Sequence, residues 1–463
     1  MGVQDAAFDA LASALPELVG ASPIFSGDDP VLATRLRLGA AAAAAIGGCA
    51  TAAARIWQSR GGAPQTVSVD RRRAAASLAG FRHLRLDGRP FPAAQGDVPT
   101  MAIYRCADGR WIHLHGALPH LRDGTLALLE CADERAAIAA AVAQWPSFEL
   151  EDALAEARQC GAVLRTAAEW GAHPQGLATA AAPLVEVIRI GDAPPRPWTQ
   201  AARPLDGVRV LDLTRILAGP TCARTLAEHG AQVLHVSSPE LPNIPIFIPD
   251  TGHGKRTAFL NLTDSAARDS LAGLLDEADV FSQGYRTGAL DRIGFGHEDT
   301  ARRRPGIIYV SINCYGHSGP WVHRPGWEQL AQSCTGIALM HSNRSMHADT
   351  APEVIPAAPA DYCTGYLAAQ GVMAALSRRA LVGGSWHVRA SLARTAMWIR
   401  ELGMTTSDEI RHPPTRSEIE SWSMTRDTDW GRLSALSPIA EMSATPPHWD
   451  LPAAPLGSHV PRW

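Results

Sequence analysis

The chain has 463 residues, 46% of them hydrophobic and 19% charged, with a formal net charge of −4 at pH 7. That size allows two or three domains or one large interlocked unit, and the composition excludes a disordered chain. The weakly acidic balance gives no reason to expect nucleic acid or an acidic membrane as partner, so an anionic ligand must be held by a local cluster of cations.

The N-terminal stretch MGVQDAAFDALASALPELVG carries acids where a secretory leader would carry basic residues. Further on, LGAAAAAAIGGCATAAARIW comes nearest to a membrane span, but it is short and built of Ala and Gly, which predicts a close-packed soluble helix. Eight cysteines, at positions 49, 106, 131, 160, 222, 314, 334 and 363, are scattered with no CxxC pair. They argue against a zinc site and a disulfide framework and fit a reducing cytosol. The expectation is a cytoplasmic protein with no metal, no membrane span and no nucleic-acid partner.

A proline-rich linker, GDAPPRPWTQAARPLDG (191–207), separates two halves. Beyond it the periods alternate. VRVLDLT (208–214), AQVLHV (231–236), RTAFLNL (256–262), DVFSQG (279–284) and GIIYVSINCYG (306–316) read as strands, and GPTCARTLAEHG (219–230) and Asp264–Glu277 as helices. Strands alternating with helices predict an α/β chain with a doubly wound parallel, Rossmann-like sheet, its ligands at the carboxyl ends of the strands. There is also an internal echo. Residues 365–399 and 38–78 both run small-residue helix, Arg, Gly-Gly, short strand and a further helix. Two Ala-rich helices can look alike by chance; alternatively, an ancestral duplication lost the acid from one copy.

Several local features bear on chemistry. Gly219 and Pro220 open a helix directly after the first strand, which would let a ligand approach backbone N–H groups. Neither a G-x-G-x-x-G nor a G-x-x-x-x-G-K-[ST] run is present, which removes the dinucleotide and P-loop readings. Lys255 and Arg256 precede one strand, and Arg286 and Arg292 follow another; each suits a phosphate or a solvated face. In AAPADYCTGYLAAQG (357–371), Asp361 stands at the threshold of an apolar helix, a place that suits an N-cap or a nucleophile.

From about Pro204 to Leu392 these motifs occur in an order that resembles the family III CoA-transferases, the CaiB/BaiF family, whose relatives include formyl-CoA transferase and α-methylacyl-CoA racemase. PLDGVRVLDLTRILAGP is similar to that family's opening. YRCADGRWIHLHG (104–116) and GAVLRTAAEWGAHPQ (161–175) are similar to its small α+β domain, but here they precede the sheet, so the chain resembles a permuted or trimmed tandem form. The implied organisation is a degenerate half-copy plus a small-domain-like segment (1–195), a linker (196–207), the Rossmann-like CoA-binding and catalytic domain (208–400) and a C-terminal tail (401–463). The tail is polar from Met404 to Glu420 and expected to be mobile.

The resemblance implies a CoA-transferase, with coenzyme A entering as an acyl-CoA substrate and a carboxylic acid as acceptor. Asp361 would be the nucleophile. It would attack the thioester to form a mixed anhydride, and the returning thiolate would give an aspartyl-CoA thioester for the acceptor to attack. An ordinary Asp, with a pKa near ~3.9, needs no base for this. Leu217 and Ala218 would line the pantetheine by backbone contact, and Leu260, Asn261, Leu262 and Thr263 would meet the adenosine end. Gly284, Tyr285 and Arg286 would surround adenine or ribose, Arg292 would take a phosphate, and Pro325, Gly326, Trp327 and Glu328 would flank the thioester. Ser238 belongs to the same cofactor-binding set, although HVSS stands where the family has a basic-x-acidic pair. QGY likewise replaces ENF, and LNL replaces LDL. Two alternatives accompany this reading: an acyl-CoA racemase with Glu328 as base, since GWEQ (326–329) has no histidine, and a non-catalytic scaffold relative. The resemblance also implies a homodimer.

Overall fold

The computed structural model describes residues 3–18, 20, 23–92, 98–345, 347–406 and 413–463. Its centre is a seven-stranded sheet whose strands, numbered along the chain, are β1 (Glu186–Gly191), β2 (Arg209–Asp212), β3 (Gln232–Ser237), β4 (Lys255–Phe259), β5 (Val280–Gln283), β6 (Ile308–Asn313) and β7 (Ser385–Ser391). They lie in the order β4-β3-β2-β5-β6-β7-β1, all parallel except β1, which runs antiparallel along β7. All five strands expected between 208 and 316 form, with their ends shifted by a few residues. The chain winds outward from β2 to β4, then returns to the other side of β2 with β5. The loops leaving these two neighbours diverge, and a crevice opens at their carboxyl ends. Because β1 comes from before the linker, the first half completes this sheet instead of standing apart from it.

Five helices position the site: α1 (Leu38–Ser59), α2 (Ala218–Glu228), α3 (Glu328–Thr335), α4 (Pro359–Val382) and α5 (Leu392–Glu401). Every residue of α4 from Pro359 to Leu376 is buried. Its small residues make that possible by letting backbones approach on several sides. A Cβ at Gly365 would lie 2.5 Å from the Ala218 carbonyl oxygen of α2, and one at Gly371 would lie 2.6 Å from Val388 of β7. On a further side α1 packs directly on α4: the Gln370 amide donates to Ala45 O at 2.7 Å, and the Cys49 thiol donates to Tyr366 O at 3.0 Å. The two helices of the sequence echo are thus packing partners. Among the described residues, α1 is the one helix long and apolar enough to cross a membrane, and 94% of its apolar window is buried inside the fold.

A smaller α+β unit has its own core. Strands Ile103–Arg105, Trp111–Leu114 and Gly161–Val163 form an antiparallel sheet, covered by helices Pro119–Leu129, Arg135–Val142 and Ser147–Glu156. The C-terminal residues are woven in as well. Strand Gly431–Leu436 of a hairpin pairs with Arg85–Leu86, and Glu441–Met442 pairs with Val67–Asp70. Of the stretch expected to be mobile, 407–412 lies outside the described residues. Its later part forms the helix Arg416–Ser421, capped by Thr415, and Glu418 accepts from Arg72 Nε at 2.6 Å.

Because Gly365 seats α4 on α2, Gly365→Ala is expected to destabilise the fold by ~1–3 kcal/mol through overpacking. The urea midpoint should fall at unchanged slope. An unchanged midpoint would show that the two helices separate freely.

Candidate active site

The crevice beyond β2 and β5 is a cleft of about 650 Å³. One wall is the loop from β2 into α2, which a buried ion pair shapes. Asp212, the last residue of β2, has no exposed surface and accepts from Thr214 N (3.0 Å), Thr214 Oγ1 (2.5 Å), Ser282 Oγ (2.9 Å) and Lys255 Nζ (3.1 Å). Its other neighbour is His235, whose Nδ1 lies 3.3 Å away. Burial opposes the charge on Asp212, but Lys255, then His235 and Thr214, outweigh it and hold the carboxyl well below the usual range. Lys255 also donates to Pro220 O at 2.8 Å, so one ammonium group ties the end of β2 to the first turn of α2. Between these anchors Ile216 sits at φ +71°, a conformation that costs a β-branched residue ~1–3 kcal/mol and persists only where neighbours impose it.

Two expectations change here. Lys255 is not a solvated cation; it is buried and paired with Asp212. Gly219 is needed by the protein before any ligand: a Cβ there would fall 2.3 Å from the Thr214 Cβ.

The opposite wall carries two acids. Asp361 is the third residue of α4, and the N-cap position is Ala358, so Asp361 is not the cap. That role falls to Glu328, the first residue of α3, whose Oε1 accepts from Ala360 N at 3.2 Å. Gln332, one turn along, donates to both Glu328 oxygens at 2.9 and 2.8 Å. Among the described residues nothing donates to the Asp361 carboxyl, which keeps 9% of its surface and faces the cleft. Burial pushes Asp361 up to about 7. Burial, and then the nearby Asp361, push Glu328 up to about 8. The expectation of a freely ionised Asp is therefore corrected: lost hydration outweighs the favourable helix N-terminus.

Of the other residues singled out, Leu217, Ala218, Gly284, Tyr285, Arg286, Arg292, Pro325, Gly326, Trp327 and Glu328 all line this cleft with Asp361. Ser238, Leu260, Asn261, Leu262 and Thr263 do not. They follow β3 and β4 on the far side of the switch point, where Leu260 N pairs with Ser237 O (2.8 Å) and Leu260 and Leu262 pack on the sheet's core. The smaller unit supplies lining that the sequence did not flag: Leu118, His120, Leu121 and Cys160. Arg215 was missed too. It and Arg286 act on His120, whose pKa burial lowers first and these two guanidinium groups lower further. The HPQ run carried a usable signal. Gln175 is fully buried; its Nε2 donates to Tyr315 O (2.8 Å) and Ser318 O (2.9 Å), and its Oε1 accepts from Trp321 N (2.7 Å). This clamp shapes the loop that delivers Trp327 and Glu328, and Trp327 stacks on His115 with ring centroids 4.4 Å apart.

Two variants test this architecture. Lys255→Met strands the buried Asp212 charge and should cost ~3–5 kcal/mol, read from urea unfolding. Asp361 keeps its proton to about pH 7 in the folded state against 3.8 in the reference state, so its penalty on folding grows as pH rises between these values. Asp361→Asn should therefore be more stable than the parent at pH 8, by on the order of 1–3 kcal/mol, and lose that advantage below pH ~4. Equal melting at both pH values would show that the acid is ordinarily ionised.

The family model CoA-transferase family III matches residues 205–421. An acetyl-coenzyme A transferase of Hypoxylon pulicicidum is 36% identical over 334 residues, which covers 66% of this chain and 55% of that protein. An acyl-CoA transferase of Gibberella moniliformis is 33% identical over 350 residues, 69% of this chain and 61% of that one. A solved CaiB/BaiF family protein from Brucella suis is 30% identical, with a TM-score of 0.39 over 43% of this chain and 56% of its own. The chain thus spans between about half and three fifths of the length of these relatives. Over the stretch 205–421 the chain is similar to CoA-transferase family III.

Proposed function

We propose that this chain is a CoA-transferase that moves CoA from an acyl-CoA thioester to a carboxylic acid, with Asp361 as nucleophile. The observation that carries the reading is the Asp361 carboxyl itself, buried, without a donor among the described residues, and facing a 650 Å³ cleft at the switch point of the sheet. The names of the relatives, an acetyl-coenzyme A transferase and an acyl-CoA transferase, support it. The cleft suits the substrate at both ends. Arg215, Arg286 and Arg292 offer guanidinium groups for phosphates in the same cleft as the carboxyl. Ser238 and Leu260–Thr263, beyond the cleft lining, are outer contacts of the nucleotide in this reading.

In the first step an Asp361 oxygen bonds to the thioester carbonyl carbon, the C–S bond breaks, and CoA leaves as thiolate. The thiolate then attacks the Asp361 carbonyl carbon, releasing the acyl group as a carboxylate and leaving an aspartyl-CoA thioester. An incoming carboxylate repeats the sequence in reverse. Thioester is exchanged for thioester, so no external energy source is needed. Desolvation also serves the chemistry, since a carboxylate stripped of water and hydrogen bonds is a stronger nucleophile than a solvated one. The cost is a rise in pKa, so adduct formation should increase with pH through about 7.

The second acid favours one other reading. Glu328 beside Asp361, raised to about 8, makes a pair able to exchange a proton at the carbon next to a thioester, as a racemase requires. Deuterium wash-in from solvent separates the two. The proposal includes a homodimer in a reducing, cytoplasmic compartment; eight free cysteines, seven of them buried, support the compartment, and sedimentation reads the assembly.

The deciding experiment is intact-protein mass spectrometry after incubation with acyl-CoA, followed by hydroxylamine trapping and peptide mapping. The parent should carry an adduct on Asp361, and Asp361→Asn should carry none and lose turnover by at least ~1,000-fold. Turnover retained by the variant overturns the nucleophile, and absence of any adduct across acyl-CoAs favours a scaffold role.

A further inference from the structure

Helix α3 is a fixed base beside the reactive acid. Arg165 N donates to Ser333 O at 3.1 Å, His113 Nδ1 lies 3.0 Å from Ser333 Oγ, and Arg400 Nη1 donates to Thr335 O at 2.7 Å. The Ser333 and Thr335 hydroxyls turn back on their own helix, donating to Gln329 O at 2.9 Å and Ala331 O at 2.6 Å. Gln332 and Glu328 reach across to α4 instead. The Gln332 carbonyl oxygen accepts from Ile355 N at 2.9 Å, in the stretch that enters α4. Its amide nitrogen donates to Glu328 Oε1 and Oε2 at 2.9 and 2.8 Å, and Glu328 Oε1 accepts from Ala360 N at 3.2 Å, next to Asp361. The amide cannot be turned over. A backbone N–H only donates, so the carbonyl must face Ile355 and the NH2 must face Glu328.

From this relay we infer that Gln332 is a positioning residue for acyl transfer: it ties the entry of α4 and the capping carboxyl of Glu328 to α3, and so sets where the Asp361 carboxyl stands. The inference rests on the CoA-transfer reading, in which Asp361 is the nucleophile. Gln332 has no exposed surface and is not among the residues lining the cleft, so it acts through its neighbours and not on the substrate. Nothing among the described residues donates to the Asp361 carboxyl, so its direction follows from the backbone of the first turn. That turn is held at two N–H groups, Ala358 by Leu78 O at 2.9 Å and Ala360 by Glu328. Without the Gln332 amide, Ile355 N loses its acceptor and Glu328 is left with the Ala360 N–H alone. Attack on a thioester needs near-attack geometry, and a displacement on the order of 1 Å is enough to slow it.

The test uses two variants of the full chain. Gln332→Met keeps the length and removes both kinds of hydrogen bond; Gln332→Glu keeps an oxygen facing Ile355 and turns a second carboxyl on Glu328. The donors are acetyl-CoA, butyryl-CoA and octanoyl-CoA, with acetate as acceptor. Gln332→Met should lower kcat by about 100-fold at every pH while KM for the acyl-CoA stays within about twofold. Two facing carboxyls share one proton, so Gln332→Glu should stay within roughly tenfold of the parent near pH ~6. It should fall a further tenfold or more by about pH 9, as that proton leaves and the carboxylates repel, a limb absent from the parent and from Gln332→Met. The titratable neighbours of Glu328, Asp361 and Cys363 of α4, are the same in every variant. If Gln332→Met fails to fold, the alkaline limb of Gln332→Glu decides. Unchanged kcat in Gln332→Met, a KM change as large as the kcat change, or a Gln332→Glu loss that is constant with pH overturns the positioning role while the adduct on Asp361 keeps the transferase reading intact. A parent that forms no adduct with any donor overturns both.

Discussion

Asp212 and Lys255 form a buried pair on which the geometry of the cleft depends. Their strands, β2 and β4, lie on either side of β3, so the salt bridge spans a neighbour instead of linking adjacent edges. Ser282 from β5 and His235 from β3 complete the shell. One carboxylate thus collects groups from each of the strands around the switch point, and Lys255 passes the constraint on to Pro220. A buried pair is weak evidence for stability as such, because desolvation offsets most of the attraction. What it provides here is position. The loop between Leu213 and Gly219 is held tightly enough to keep Ile216 in a left-handed conformation, and the start of α2 is fixed against the cleft.

From α2 the constraint reaches the reactive acid by packing. The Ala218 carbonyl lies where a side chain at Gly365 would have to be, one turn along from Asp361 on α4. Glu328 fixes the start of the same helix by capping Ala360. Asp361 is therefore located twice, by a close backbone approach and by a cap, while its own carboxyl makes no bond that would compete with a substrate. The site keeps one acid bonded and structural and leaves the other unbonded. The different surroundings of two neighbouring carboxyls are what separate their chemical roles.

A good part of this organisation was legible in the chain. The alternation of strand and helix periods from 208 to 316 located five of the seven sheet strands, because residues buried between two helical layers must be apolar in continuous runs. Small residues at 38–59 and 359–382 marked helices that are packed on all sides. The HPQ run was visible, but nothing local shows that Gln175 clamps a loop some 140 positions later. Lys255 was misplaced for a similar reason: a lysine before a strand looks alike whether it faces water or an aspartate, and only the strand order brings Asp212 to it. The strand β1 escaped notice because it joins the sheet from the far side of a linker.

What the sequence alone determined is the inventory: parallel-sheet periods, a small-residue helix, one acid at that helix's start, and arginines after the strands. These are local properties, set by side-chain pattern and backbone preference. What only the tertiary structure decided is the state of that acid. Its hydration, the cap supplied by Glu328 in its place, and the cleft it faces all come from segments far apart in the chain. Charge in a protein interior depends on what surrounds it in space, and chain order does not contain that information until the sheet is assembled.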